Sequence, residues 1–399
     1  MPSRDAWKPF AGLRVLDASQ GFAGPSCAAM LAAQGADVVK VEPPGGDWAR
    51  HIGRRHGDNT AFGLVPNIGK RGICLDAARP AGRALLRRLA LAADVVVHNF
   101  REAAAERLGI GATQLRAESP AMVHLTITGF GVEGDWAGRA ATDTILQGFT
   151  GLMTLVGGEG QPPRRVDFSL IDVVAGVHGA QRISAALFRR AQGDGGATLS
   201  ISLLEVATAL QAAPLLDRAV ADATGEPCTP PPLGVPLGVF ATADGHINLS
   251  CIGDRMFAAI ARVLGQDEWL EDPSLATAAL RLARAGDISA TTQRIIGRKP
   301  TAHWVEAFTA ADVLCGPIQD HGALLRDRQA RAVRLFEVLA LPALGIEVPV
   351  ARPPGGPPRG IALRAPALGE HTRAVLAEAG LAPEEIAGLL ADGTVREEA

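Results

Sequence analysis

Few residues of this chain could do chemistry, and spacing alone leaves each of them open. Asp172 precedes the apolar run Val173-Val-Ala-Gly176, the commonest setting for a helix N-cap. A turn with two glycines, Gly21-Phe22-Ala23-Gly24-Pro25, follows the first apolar run, and Glu42 ends the second. Turn and acid together raise a dinucleotide site. However, the turn does not spell G-x-G-x-x-G, and Pro25 removes one backbone donor that a pyrophosphate would meet. Acids at strand ends are common, so a nicotinamide enzyme is disfavoured. The nine histidines are scattered, and only His178 lies within two helical turns of Asp172; it reads first as a packed or solvated helix residue. Cys27, Cys74, Cys228, Cys251 and Cys315 are odd in number and lack CxxC spacing. That pattern predicts a reducing compartment, with no disulfide framework and no metal site.

The elements that must position these residues alternate between short β-branched runs and helical stretches. Strands are predicted at 13–18, 37–42, 72–76, 94–98, 122–127 and 198–202. Helices are predicted at 26–34, with Pro25 at its first position and Gly35 as C-terminal cap, then at 80–91 and 172–191. Such alternation implies βαβ units and a mainly parallel sheet covered on both faces. Residues 225–236 carry five prolines and two glycines and read as a linker. Beyond it, Asp244-Gly245 between two apolar runs predicts a hairpin turned through a positive φ, followed by amphipathic helices at 255–264, 288–296 and 301–311. The expected division is a large α/β domain over 1–224, the linker, a small α+β domain over 237–330, a return segment over 331–360, and a C-terminal part of the large domain over 361–399.

With 399 residues and a net charge of −3, the chain can bury a sizeable core and carries no basic stripe for nucleic acid or membrane. Residues 1–10 lack an apolar run, and no stretch nears 18 apolar residues, so a signal peptide and a membrane span are not expected. The cytoplasm is the expected compartment.

Several segments, taken together and in order, are more specific than any one of them. They are LRVLDASQGFAGPSCAAMLAAQGADVVKVEPPGGD, NIGKRGICLD, ADVVVHNFREAAAERLGI, TGFGVEGDWAGRAATDTILQGFTGLM and FSLIDVVAGVHGAQRISAALFRRAQGDGGATLSISLLE, followed by TADGHINLS, DVLCGPIQ and APALGEHT. This series resembles the family III CoA-transferases along essentially the whole chain. The resemblance implies a Rossmann-like large domain formed by both chain ends, a smaller inserted α+β domain and an interlocked homodimer. It also implies transfer of CoA from an acyl-CoA to a carboxylic acid, with CoA as co-substrate and no further cofactor.

The family's nucleophilic aspartate falls on Asp172. A carboxylate can take the acyl group as a mixed anhydride and then carry CoA as an aspartyl thioester, which splits one difficult step into easier ones. A helix N-terminus would hold Asp172 ionised and offer free N–H groups to an oxyanion, worth roughly 3–4 kcal/mol per donor. Gly176 and Gly179 would leave room for the pantetheine arm, or merely let helices pack closely. Carried over position by position, the resemblance implies CoA contacts from Gln20, Gly21, Phe22 and Ala23, from Leu75, from Asn99, Phe100 and Arg101, and from Arg107 and Leu108. Arginines suit the phosphates through their fork geometry, although Arg101 and Arg107 equally fit a solvated helix face and Phe100 fits plain core.

The chain departs from the family pattern at Asp135, Thr142, Asp167 and Ser169, and it lacks the GGGG segment of formyl-CoA transferases. These departures bear on acyl specificity, as do His178 and Arg139, whose part in substrate binding the sequence does not decide. The α-methylacyl-CoA racemases share the resemblance and use an aspartate at this position as an acid/base, but their histidine partner falls on Thr142, which cannot shuttle a proton near neutral pH. A non-catalytic CoA-binding protein is the remaining alternative.

Overall fold

The protein is described from a computed structural model, in residues 7–158, 160–226, 228, 234–356 and 362–398. Strand β1 (Arg14–Asp17) leads through the glycine turn into α1 (Ala23–Ala33), then β2 (Asp37–Glu42) and β3 (Arg71–Leu75). Next come α2 (Pro80–Leu91), β4 (Val95–His98), α3 (Glu102–Arg107), β5 (Val123–Thr128), α4 (Asp143–Phe149), α5 (Leu170–Ala191) and β6 (Ala197–Ser202). All four residues of β4 are buried, as expected of a strand covered on both faces.

These six strands pair in the order β3-β2-β1-β4-β5-β6, every pair parallel. The order reverses between β1 and β4, whose Val15 and Val95 are register partners. One apolar cluster packs α1 and α5 against one face through Cys27, Leu31, Leu125 and Ile183. Another packs α2 and the C-terminal helices against the other through Leu86, Ile73 and Leu376. Pro25 is the third residue of α1, where its missing N–H still costs nothing because the first four amides lack helical acceptors. Gly35, at φ +98°, ends that helix as expected.

The chain divides into two compact units, one made of residues 1–212 with 334–399, the other of residues 213–333. The division between the units, expected after residue 224, falls at the first residue of the helix Ala212–Thr224, which buries only Ala221. In the central unit β7 (Leu237–Ala241), β8 (His246–Ser250) and β9 (Leu314–Pro317) form an antiparallel sheet in the order β9-β8-β7. Its core holds Phe257, Ile260, Trp304 and Phe308. Gly245 is not among the positive-φ glycines, contrary to the reading of its turn. Asp244 shapes that turn by accepting the Thr301 amide and hydroxyl at 2.8 Å.

The segment expected to be a plain return holds an antiparallel hairpin, β10 (Phe336–Leu341) and β11 (Ile346–Ala351). Residues 227, 229–233 and 357–360 of the expected linkers lie outside the described residues. Finally, β12 (Val395–Arg396) pairs antiparallel with β3, so residues from near both chain ends build the large sheet. Among the described residues, no helix is long and apolar enough to cross a membrane.

Candidate active site

The turn after β1 is held from beneath by charges with almost no access to water. Lys70 Nζ donates to Asp17 Oδ2 at 2.7 Å, to the Pro25 carbonyl at 2.8 Å and to Asn67 Oδ1 at 2.9 Å. Lys40 Nζ donates to Asp47 Oδ2 at 2.8 Å and to the Ser19 carbonyl. Asp47 in turn accepts the Gly21 amide at 2.9 Å, so a buried lysine fixes the turn's backbone through one carboxylate. Glu42 accepts Arg50 Nε and Nη2, both at 2.7 Å, and the Asp47 amide at 2.8 Å. Its oxygens are engaged by protein, which ends the ribose-binding reading.

Burial opposes charge at Asp17, Lys40, Glu42, Arg50 and Lys70. At Asp17, Lys40 and Glu42 the opposite charges win, and their pKa values move further toward the charged side. At Lys70 burial wins, and the pKa falls to about 8. Removing one partner would strand an unpaired charge, which is where such networks are vulnerable.

Above the network, the Gln20 amide donates to Asn99 Oδ1 at 2.9 Å, and Asn99 Nδ2 donates to the Gln20 carbonyl at 2.7 Å. This bridge ties the ends of β1 and β4 at the point where strand order reverses, the place where open α/β sheets take ligands. A cavity of about 710 Å³ opens there. Of the expected CoA contacts, Gln20, Phe22, Ala23, Asn99, Phe100 and Arg101 line it together with Asp172.

Gly21, Leu75, Arg107 and Leu108 are not among its lining residues. Gly21, at φ +83°, lies against Trp48, whose ring a Cβ would meet at 2.2 Å. Leu75 is buried in β3, Arg107 is exposed at the end of α3, and Leu108 packs against the core. His178 is half-buried on α5 and does not line the cavity either.

Asp172 is the third residue of α5 and is partly buried. Asp143, at the start of α4, accepts the Ile171 amide at 2.6 Å and the Asp172 amide at 3.1 Å on Oδ2. Gln147 Nε2 donates to Asp143 Oδ1 at 2.6 Å, and Gln147 Oε1 accepts the Val166 amide at 2.8 Å. The Leu170 and Val173 amides donate to the Phe168 and Ser169 carbonyls. All four N–H groups of the first helical turn are therefore engaged, so the expected free oxyanion donors are not there.

The shift at Asp172 is also opposite to the one expected of a helix terminus that holds the carboxylate ionised. Burial, with the Asp143 carboxylate adding repulsion, pushes its pKa up to about 7. Such a group takes up and releases its proton around neutral pH.

Gly176 and Gly179 serve packing rather than ligand room. A Cβ on Gly176 would meet Ser26 Cβ at 2.8 Å, and one on Gly179 would meet Cys27 Sγ at 2.9 Å and Leu125 Cδ2 at 3.1 Å. They let α5 lie directly on α1, which sets where Asp172 emerges.

The end of β5 and the loop from it to α4 supply more of the cavity wall, including Thr128, Arg139 and Thr142. The Arg139 guanidinium lies 3.8 Å over the Trp136 ring centroid. Trp136 packs on Phe130 and Phe149, each with ring centroids 4.8 Å away. Lys40, Lys70, Asp47 and Asp143 were not singled out from sequence. The signal was present for the two lysines, since each sits in or beside an apolar strand run where a charge must find a buried partner.

A family profile described as CoA-transferase family III matches residues 10–372. A succinate–glutarate CoA-transferase of Agrobacterium fabrum is 32% identical, covering 95% of this chain and 97% of its own. An acetyl-CoA:oxalate CoA-transferase of Acetobacter aceti is 32% identical, covering 78% of this chain and 81% of its own. The crystal structure of a CAIB/BAIF family protein from Brucella suis superposes with a TM-score of 0.81 at 28% identity, over 93% of this chain and 99% of that one. The chain belongs to CoA-transferase family III, and it is a transferase.

Proposed function

We propose that the protein moves coenzyme A from an acyl thioester to a carboxylic acid through covalent intermediates on Asp172. The observation that carries this reading is a carboxylate with pKa about 7 lining the switch-point cavity beside six of the expected CoA contacts. An Asp172 oxygen attacks the thioester carbonyl, the C–S bond breaks, and CoA leaves as the thiolate from a mixed anhydride. The thiolate then attacks the Asp172 carbonyl, giving the aspartyl-CoA thioester and releasing the first acid. An acceptor carboxylate attacks that thioester to form a second anhydride. CoA thiolate then attacks the acceptor's carbonyl, and Asp172 is freed with no net change in protons or electrons.

Gln20, Phe22, Ala23, Asn99, Phe100 and Arg101 contact the CoA in this reading, and Arg101, which has no anionic partner among the described residues, takes a phosphate. Gly21 acts through the turn it shapes, while Leu75, Arg107 and Leu108 do not line the cavity. Thr142 at the histidine position of the racemases favours transfer over racemisation.

We place the protein in the cytoplasm as an interlocked homodimer. Five unpaired cysteines support the compartment. Exposed apolar side chains such as Phe188 and Leu216 support an interface. The test of the mechanism is covalent capture. Incubation with an acyl-CoA followed by hydroxylamine should modify Asp172 alone, and Asp172→Ala should lose several orders of magnitude in turnover while keeping its fold. An Asp172→Ala protein of unchanged turnover overturns the mechanism.

A further inference from the structure

The segment that carries three of the expected CoA contacts, Asn99, Phe100 and Arg101, begins directly after β4 ends at His98. There the strand ladder is over, since the last register pair with β5 is His98 with Thr126. The backbone beyond it must be fixed by other means. Asn99 contributes through its side-chain bridge to Gln20, but that bridge is exposed to water. The other fixture is dry. His98 is 1% exposed, and its Nδ1 lies 3.2 Å from the Phe100 amide.

An amide can only donate, so Nδ1 must be bare and the ring proton must sit on Nε2, which faces Thr126 Oγ1 at 3.3 Å. A second ring proton would set two donors against each other at Phe100. Burial, with His124 edge-on at 4.8 Å, holds the ring neutral, its pKa pushed down to about 3. The Phe100 ring stacks on the imidazole, with centroids 6.0 Å and planes 27° apart. His98 thus makes with its ring the turn that Asn and Asp make when a side-chain oxygen takes the amide two residues on.

We propose that His98 is a positioning residue for coenzyme A, holding the Phe100 amide so that Asn99, Phe100 and Arg101 meet the cavity in a binding-competent conformation. This rests on the reading above that the cavity takes CoA. His98 itself does not line it, so it acts through the segment and not on the ligand. Released from His98, the segment samples other conformations, and affinity falls by the fraction of molecules that keep the competent one.

The test is the dissociation constant of free CoA, read by calorimetry on the full-length protein, beside kcat and KM for one acyl-CoA. His98→Leu keeps the bulk and loses the acceptor. It should raise Kd and KM about 3- to 10-fold, the range of one lost hydrogen bond. At saturation kcat should change less than about twofold, because the lost interaction serves binding alone. His98→Asn, whose side-chain oxygen takes the Phe100 amide, should bring Kd back to within about twofold of the wild type. His98→Gln, equally polar but one bond longer, should bind as weakly as the Leu variant, and it keeps the comparison readable should His98→Leu fail to fold. A ring that merely fills the core would lower the melting temperature of all three variants and leave Kd unmoved. That result overturns the proposal, as would Asn binding no better than Gln. Arg101→Met separates this inference from the CoA reading. Weakened CoA binding there, beside an unmoved His98→Leu, removes only the positioning role; no loss in either variant removes the CoA site as well.

Discussion

Replacing Asp172 by Asn should make the protein more stable, and by an amount that grows with pH. In the folded chain this carboxyl has its pKa pushed from 3.8 to about 7, first by burial and then by Asp143. The folded state therefore holds a proton that the unfolded chain releases at acidic pH. With the folded pKa the higher one, the associated stability is fully present below about pH 4. It is lost as pH rises through 7.

At about 1.4 kcal/mol per pKa unit the full loss is about 4 kcal/mol. The carboxylate is partly open to the cavity, and water there screens some of the cost, so about 2–4 kcal/mol is the working range. Asn has the same shape and no charge, and it escapes the loss. Urea unfolding of both proteins at pH 4.5, 6 and 8 reads the difference directly from the midpoints, provided the slopes match. The two should lie within about 1 kcal/mol at pH 4.5 and separate to about 2–4 kcal/mol at pH 8, with the Asn variant the more stable. A gap independent of pH, or a variant weaker at pH 8, would refute the claim that Asp172 is charged there against its surroundings.

Asp143→Asn keeps an oxygen for the Ile171 and Asp172 amides but removes the like charge. The acidic limb of the kcat/KM profile, which should rise through about pH 7 as Asp172 ionises, should move roughly one unit lower; an unmoved limb would show that Asp143 acts only as a cap. Sedimentation at nanomolar concentration should find an undissociated dimer, as expected of a large apolar interface, and an active monomer there would remove the interlocked assembly.

The sheet was legible because its signal is local. Runs such as Asp37-Val-Val-Lys-Val-Glu42 are extended whatever surrounds them, and β2 begins and ends where that run does. Asp172 was marked as the candidate by the family segment around it, since spacing alone gave only a helix cap. What could not be read was the balance of forces at that carboxylate. A helix terminus favours the anion by at most a kcal/mol or two, and that contribution is visible in the sequence. The opposing burial comes from the packing around the helix, and the like charge from Asp143, 29 positions earlier, brought in by the fold.

Lys40 and Lys70 make the same point from the other side. Each is marked in sequence as a charge in an apolar setting, but its partners, Asp47 for one and Asp17 with the Pro25 carbonyl for the other, are set by which strands lie side by side. Gly176 and Gly179 were open between ligand room and helix packing until α1 was known to lie across them. In each case residue type announced a requirement, and only the three-dimensional neighbour determined how it was met. At Asp172 the requirement is left partly unmet in the folded chain, burial and Asp143 together raising its pKa to about 7. In the proposed mechanism that poorly solvated carboxylate is the nucleophile, and the stability lost there is what the Asn variant should recover.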